Sequence, residues 1–294
     1  MMNKRTVVSI LSMLAMLLTL ASGLASITLD DGGGPYTWTS LRGEEVEMYG
    51  GHGLYQYDSF RKAIIVRGFD WANLVVGLPL LILGLYLHKR GQLRGELLLS
   101  ASFGYLAYNY LIAVMGNAFN ALFLVWTALF SVGLFGVALV VAGIDKSSLP
   151  ARFEANFPRR SLAAYVILLA LFLLFQYVIE VLSAYTSGTA PTRLGSNTTL
   201  ELSALELGIM VPLHFLGGVL LWQKKPVGYL LAIILTLGAF MTFISLSFAV
   251  ITLHFFYARG GVFEVALLTT LAGITAVFSL LMFKRVKNEA APAR

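Results

Sequence analysis

The sequence contains no cysteine among its 294 residues. This absence excludes disulfide bonds, thiolate metal sites and cysteine nucleophiles, and it leaves the redox compartment undetermined. Charge is also scarce, since Asp, Glu, Lys and Arg make up 12% of the chain, whereas soluble domains carry roughly 25%. Each ionised side chain at the centre of a bilayer costs about 2.5–3.5 kcal/mol on insertion scales, so this deficit is typical of a protein embedded in lipid.

The longest uncharged stretch of the chain lies between Glu96 and Asp145, and most of its residues are Leu, Ala, Val, Phe or Gly. A membrane span needs about 20 apolar residues, so the stretch is long enough for two spans. The residues 115–120, Met-Gly-Asn-Ala-Phe-Asn, interrupt the apolar pattern midway. The sequence therefore predicts a helical hairpin that lies wholly in lipid.

The same reasoning, applied to the whole chain, predicts an all-α, polytopic membrane bundle of about eight transmembrane helices in a single membrane domain, 1–294. The predicted spans are about 6–29, 69–87, 96–115, 120–143, 162–185, 205–222, 229–257 and 263–283. The first could instead be a cleaved signal peptide, because Ala21, Gly23 and Ala25 suit a signal peptidase. The parts of the chain on either side of the 145–160 loop share no motif that we can align.

Residues 30–66 form the main predicted extracytoplasmic segment. It opens with Gly32-Gly33-Gly34-Pro35, and two short runs, 36–39 and 46–49, flank a turn at 41–44. Such runs around a glycine turn are typical of a β-hairpin. The segment is also rich in aromatic residues, which favours a structure folded over the bundle rather than a flexible linker.

The distribution of basic residues predicts the topology. If both termini are cytoplasmic, fifteen of the 21 Lys and Arg residues lie on the cytoplasmic side, as the positive-inside rule expects. The net charge of +6 therefore does not indicate nucleic-acid binding, because the basic residues occur in short caps between apolar runs. We expect the lipid bilayer as the main partner, with a protein partner possible through the extracytoplasmic segment.

The first half of the chain resembles a group of uncharacterised bacterial multi-pass membrane proteins over roughly residues 40–145. The motifs that carry the resemblance are Gly53-Leu54-Tyr55…Asp58, Arg67-Gly68-Phe69-Asp70, Gly77-Leu78-Pro79-Leu80-Leu81, Arg90-Gly91…Arg94-Gly95, Gly104-Tyr105…Tyr108…Tyr110 and Asn120-Ala121-Leu122-Phe123-Leu124. The resemblance implies a location in the bacterial inner (plasma) membrane. It implies no activity and no catalytic or binding residues.

Polar side chains within the predicted spans are the candidates for a functional site, because they are costly in lipid. Most lie in the outer halves of the spans, which predicts a pocket that opens outward. The candidate pocket residues are Glu180, Gln176, Tyr105, Asn109, His254, Glu264 and His214. By contrast, Asp70 and Glu206 lie at predicted outer span ends and, like Glu264, are also interpreted as interfacial groups in contact with water.

Three classes of function remain open. The first is a non-catalytic membrane partner or scaffold, and the second is a transporter or small-ligand-binding bundle with an outward-facing polar pocket. The third is an intramembrane metal-dependent enzyme, for which Glu180, His254 and Glu264 would be the ligands. No phosphate-binding loop, zinc-protease motif or nucleophile elbow is present, so we predict no catalytic residues, no metal and no cofactor.

The predicted topology can be tested by labelling tags inserted into the intact protein in its membrane. A tag near Lys89–Arg94 should be protected from an impermeant reagent added outside, and a tag within Tyr36–Asp58 should react, because the two segments are on opposite sides. If both tags react from the same side, the predicted span count is wrong.

Overall fold

The computed structural model describes residues 3–29 and 34–287. Within this part of the chain, eight helices are long and apolar enough to cross a membrane, so the predicted all-α polytopic bundle is confirmed. They are α1 (Lys4–Thr28), α2 (Phe60–Lys89), α3 (Leu93–Gly116), α4 (Phe123–Gly143), α5 (Arg159–Ser187), α6 (Glu201–Trp222), α7 (Pro226–Tyr257) and α8 (Val262–Lys284). The protein is therefore a multi-pass membrane protein.

The bundle has two faces with different character. One, here called the loop face, carries residues 34–59 and the connections 117–122, 188–200 and 258–261. The other, the basic face, carries the connections 90–92, 144–158 and 223–225 and both described chain ends. Residues 30–33 of the predicted extracytoplasmic segment, and 288–294 of the predicted cytoplasmic tail, lie outside the described residues.

The predicted β-hairpin is present on the loop face. Strands β1 (Tyr36–Thr39) and β2 (Glu45–Met48) pair antiparallel, with Thr39 opposite Glu45, and Gly43 has a φ of 88° in the turn. Polar contacts attach the hairpin to later parts of the chain. Arg259 forms an ion pair with Glu47, and the Ala190 N–H donates to Glu44 at 3.3 Å. The hairpin thus covers one end of the bundle.

The second span differs from its predicted start at residue 69, since α2 begins at Phe60. Residues 60–66, which the sequence analysis assigns to the extracytoplasmic segment, therefore form the first turns of this helix. Arg61, Lys62 and Arg67 made this region too polar to be predicted as a span. In the fold, each of these cations has a partner: Arg61 pairs with Glu264, Lys62 with Glu201, and Arg67 donates to the Tyr49 hydroxyl.

Helices α3 and α7 form the centre of the bundle. They are the two most buried helices and they contact each other, while α2 packs against both and α4 and α8 pack mainly against α3 and α7, respectively. Small residues allow close approach, as at Gly133, where a Cβ atom would lie 2.5 Å from the Ala107 nitrogen of α3. Such contacts are the usual basis of helix association in lipid, where apolar burial supplies little driving force.

The structure contains an internal repeat, contrary to the expectation from the sequence. Helix α2 contains a π-helical turn at Asn73–Gly77, and α6 contains one of equal length at Glu206–Met210, which is 133 residues further along (206 minus 73). At the same separation, Pro79 corresponds to Pro212 and Gly84 to Gly217. The turns into α3 and α7 also correspond, because Gly91 and Lys224 both have positive φ, 70° and 61°.

Two close packing contacts repeat as well. A Cβ atom on Gly95 would lie 2.2 Å from the His88 nitrogen, and one on Gly228 would lie 2.2 Å from the Leu221 nitrogen. Contacts between the halves are reciprocal. Gly68 of α2 packs on Ala249 of α7, and Gly116 of α3 packs on Glu201 of α6. At the separation of 133 residues, Gly68 corresponds to Glu201 and Gly116 to Ala249. The two four-helix halves are thus related by approximate two-fold pseudosymmetry, with α3 and α7 at the centre.

Alanine substitution tests these repeated contacts. Gly95→Ala and Gly228→Ala should each lower the free energy of unfolding by about 1–3 kcal/mol, because the added methyl group overlaps backbone atoms. The control is Gly238→Ala in α7, where no atom lies within 4 Å of the added carbon. It should be neutral or stabilising by up to about 1 kcal/mol through helix propensity. Thermal unfolding of the protein in detergent would measure the difference, and equal stability of all three variants would contradict the packing.

Candidate functional site

The two π turns mark the least regular backbone within the spans. A π turn has i→i+5 hydrogen bonds, and such turns are frequent at functional sites. Each is followed at the second residue by a proline, Pro79 in α2 and Pro212 in α6, which has no N–H to donate to the preceding turn. Two buried carboxyl groups, Asp70 and Glu206, lie at or near these two turns.

Asp70 lies three residues before the π turn of α2 and is only 4% exposed. Ser26 of α1 donates a hydrogen bond to its Oδ2 atom at 2.5 Å, and the Tyr55 hydroxyl donates to the same oxygen. Tyr55 comes from the segment between the hairpin and α2, and its ring stacks on Trp126 of α4. Asp70 therefore connects three separate parts of the chain through one carboxylate oxygen.

Further polar contacts continue from Asp70 toward the π turn. Asn73 donates to the Tyr110 hydroxyl at 3.4 Å, and Trp126 donates to Ser22 at 3.0 Å. The Oδ1 atom of Asn73 is buried and lacks a hydrogen-bond partner within residues 3–29 and 34–287. The first π turn is thus lined by a buried polar group with spare accepting capacity.

Glu206 is the first residue of the π turn in α6 and is 6% exposed. The Tyr108 hydroxyl of α3 donates to its Oε1 atom, whereas Oε2 is buried and has no partner among the described residues. Glu206 occupies the position equivalent to Asn73, and Tyr108 the position equivalent to Met241, which approaches Gly77 in the other half. The second π turn therefore carries a carboxylate where the first carries an amide.

A basic residue lies beside this second site. The side chain of Arg193, from the 188–200 connection, forms an ion pair with Glu180 at 3.0 Å, and its guanidinium carbon lies 4.6 Å from the centre of the Tyr177 ring. The amide oxygen of Gln176 also accepts from the Arg193 guanidinium group. Glu180 and Gln176 are therefore together, one turn apart on α5, as the spacing predicts.

The other predicted pocket residues lie elsewhere. Tyr105 shares a hydrogen bond of 3.1 Å with Ser245 of α7, and Asn109 is half-buried one turn further along α3. The His214 ring bonds the Met210 carbonyl of its own helix at 2.7 Å. His254 bonds the Gly260 carbonyl, and Glu264 pairs with Arg61 at the loop face. The structure thus does not join all seven residues in one pocket.

Two interfacial interpretations are wrong. Asp70 and Glu206 were expected to contact water at span ends, but both are buried between helices, because α2 and α6 begin on the loop face before the apolar stretch does. A sequence pattern shared by the two helices could have indicated their equivalence. Residues 78–84 read Leu-Pro-Leu-Leu-Ile-Leu-Gly, and residues 211–217 read Val-Pro-Leu-His-Phe-Leu-Gly. Within the described ranges, no three His, Asp or Glu side chains are grouped so that they could bind one metal ion.

No protein-family model matches the chain, and neither a curated protein nor a solved structure matches it. The resemblance over residues 40–145 therefore stays a prediction. The function has to be argued from the two π turns and the polar groups around them.

The hydrogen bonds to Asp70 can be tested by removing each donor. Ser26→Ala and Tyr55→Phe should each lower the free energy of unfolding by about 1–3 kcal/mol, because a buried carboxylate oxygen loses a partner. Ser9→Ala is the matched control, since Ser9 bonds the Arg5 carbonyl of its own helix. Denaturation of the purified variants would measure their three free energies of unfolding. If Ser9→Ala lowered the free energy of unfolding as much as the other two substitutions, a special role of Asp70 would be contradicted.

Proposed function

We propose that this membrane protein is a carrier that takes up a small polar solute from its loop face and moves it along the boundary between α3 and α6. The observation that supports the proposal is the pair of interrupted helices at equivalent positions of two repeats, each beside a buried carboxyl group. In secondary transporters, helices interrupted at corresponding positions of the two halves form the substrate and ion sites.

The energetic cost of these groups supports the same function. A carboxyl group in the bilayer interior is expensive and is kept where a substrate, an ion or a proton uses it. Glu206 has an accepting oxygen with no partner in the described part of the chain, so it can bind a donor group of a solute without first breaking a hydrogen bond. Glu180, Gln176 and Arg193 lie on the α5 side of this boundary, and Tyr105 and Asn109 on α3.

The proposed location is the inner membrane of a bacterium, with both termini in the cytoplasm. The basic face carries the connections with Lys89, Arg90, Lys146, Arg159, Lys224 and Lys225, which supports this orientation through the positive-inside rule. The loop face would then be extracytoplasmic, and the hairpin would lie outside the cell.

A non-catalytic membrane partner is the second candidate function. The observation that favours it is the hairpin, whose β1 strand is exposed along its whole length. One edge of β1 pairs with no other described strand, so a partner strand could extend it. A scaffold, however, needs no buried carboxyl groups at interrupted helices, so the carrier accounts for more of the structure. No arrangement of described residues favours the enzyme.

The carrier can be tested by cysteine accessibility, because the natural chain contains no cysteine. Ser203→Cys in α6 and Ser102→Cys in α3 place thiols at buried positions, and Leu216→Cys places one at a position exposed on the outside of the bundle. In a carrier that opens alternately to both sides, a charged maleimide should label Ser203→Cys from the loop face and Ser102→Cys from the basic face. Leu216→Cys should stay unlabelled in lipid.

A second measurement uses proteoliposomes and a panel of radiolabelled amines, amino acids and sugars. Glu206→Gln should reduce uptake of the transported compound at least tenfold, while Glu154→Gln, which removes an acid paired with Arg285 on the basic face, should leave uptake unchanged. A static bundle, in which both buried cysteines remain unlabelled and no compound is taken up, would contradict the carrier and favour the scaffold.

A further inference from the structure

The loop face contains a chamber of about 430 Å³ beneath the hairpin. One wall consists of the aromatic side chains Tyr36, Trp38 and Tyr57, all of them exposed. The rest of the lining includes the turn 115–118 between α3 and α4 and the residues 196–199 that lead into α6. The chamber is thus lined by the hairpin segment and by both halves of the bundle, and it is open to the outside of the protein.

Two polar side chains of the chamber have unused hydrogen-bonding capacity. Asp58 is 1% exposed, and its Oδ1 atom accepts from the Ala118 N–H at 2.9 Å, but its Oδ2 atom has no partner within the described ranges. Neither side-chain polar atom of Asn117 has a partner there, although both are buried. Native proteins pair the large majority of such buried groups, so each exception needs an explanation.

The charges around Asp58 leave the chamber negative. The Lys62 ammonium lies 3.4 Å from Glu201 and 4.0 Å from Asp58, and it also donates to Asn197 and to the Gly116 carbonyl. Among the described residues, these two carboxylates share one cation, so the group of three side chains has a net negative charge. An anion is therefore disfavoured in the chamber, and a cation is favoured.

The aromatic wall provides a second attraction for a cation. The faces of Trp and Tyr rings attract ammonium groups, and sites lined by several such rings recognise quaternary ammonium groups. Three exposed rings and a buried carboxylate line the same chamber, so both attractions act there. A cluster of acidic residues alone would attract a cation by its charge, but it would lack the aromatic rings.

We propose that the chamber binds a small organic cation, an amine or a quaternary ammonium compound, whose charged nitrogen lies between Asp58 and the rings of Tyr36, Trp38 and Tyr57. The unpaired amide of Asn117 would bind a hydroxyl or carbonyl group of the same ligand. Cation binding there does not require transport, because all of the lining residues lie on the loop face.

The chamber also has a direct relation to the proposed path. Glu201 lines the chamber and lies five residues before Glu206 on α6, which corresponds to about 7.5 Å along a helix. Gly116 and Tyr108 lie along the same boundary on α3. If the bundle is a carrier, the chamber is the place where its solute first binds.

The binding should depend on pH. Burial raises the pKa of Asp58 to about 6, against the opposing effects of Lys62 and of the Ala118 N–H, while Glu201 raises it further. Below this value the carboxyl group is neutral and attracts a cation less. Affinity should therefore be full at pH 7.5 and fall about tenfold by pH 5, since about a tenth of the groups remain ionised one pH unit below the pKa.

The experiment uses the full-length protein in nanodiscs of phosphatidylglycerol, whose headgroup contains no amine. Titration calorimetry at pH 7.5 should detect choline and tetramethylammonium, but not glucose or acetate. Asp58→Asn should raise the Kd at least tenfold and remove its pH dependence, because the amide does not titrate. Trp38→Ala should raise the Kd about three- to tenfold.

Two controls match these variants. Glu45→Gln removes an acid from the same hairpin that does not line the chamber, and Tyr185→Ala removes an exposed aromatic ring from the loop-face end of α5. Both should keep the native Kd. Size-exclusion chromatography checks each variant for folding, and Tyr57→Ala replaces any variant that misfolds.

Several results would overturn the inference: no binding of either cation, stronger binding of glucose or acetate, or binding that Asp58→Asn and the aromatic variants leave unchanged. The outcome is separate from the test of the carrier. Cation binding without labelling of the buried cysteines would support the chamber as a binding site and contradict transport. Labelling without cation binding would support transport and contradict the binding site.

Discussion

Polar groups inside a bilayer must find their partners within the protein, because the hydrocarbon interior offers no water to bind them. Most hydroxyl groups of the spans satisfy this constraint locally. Ser12, Thr236 and Ser247, for example, each donate to the carbonyl four residues earlier in their own helix. Such groups hold no helices together, so the few polar contacts that cross between helices define the interior of the bundle.

Those cross-helix contacts are concentrated toward the loop face. Asp70 with Ser26 and Tyr55, and Glu206 with Tyr108, lie within about three turns of the loop-face ends of α2 and α6. At the basic face, the cations instead bond helix-end carbonyls, as Arg159 does with Leu221 at 2.9 Å. Positive charge at a helix C-terminus is favourable, so this face is closed by contacts that need no buried acid.

The sequence predicted the architecture well because lipid imposes a simple rule on it. The uncharged run 97–144, the short basic turns and the hairpin runs each follow from one local property. The sequence failed where partners come from distant parts of the chain. The ion pairs of Arg61 and Lys62 involve Glu264 and Glu201, so the start of α2 could not be recognised from its own residues.

The same reason explains the outcome at the candidate site. The proximity of Glu180 and Gln176 follows from helical spacing, but the basic residue that binds both is Arg193, from a loop whose path no spacing predicts. The burial of Asp70 depends on Ser26 in α1. The repeat escaped notice because its shared residues are leucine, proline and glycine, which are common in any membrane helix.

The two-fold pseudosymmetry between the halves has a consequence for how their sequences can vary. An isologous dimer of a four-helix unit would show the same reciprocal contacts, Gly68 on Ala249 and Gly116 on Glu201, since each subunit offers one patch to the other. In such a dimer, both copies of the π turn must begin with the same residue. A single chain that carries both units has no such restriction, so the two π turns can diverge independently, and an amide at position 73 coexists with an acid at position 206.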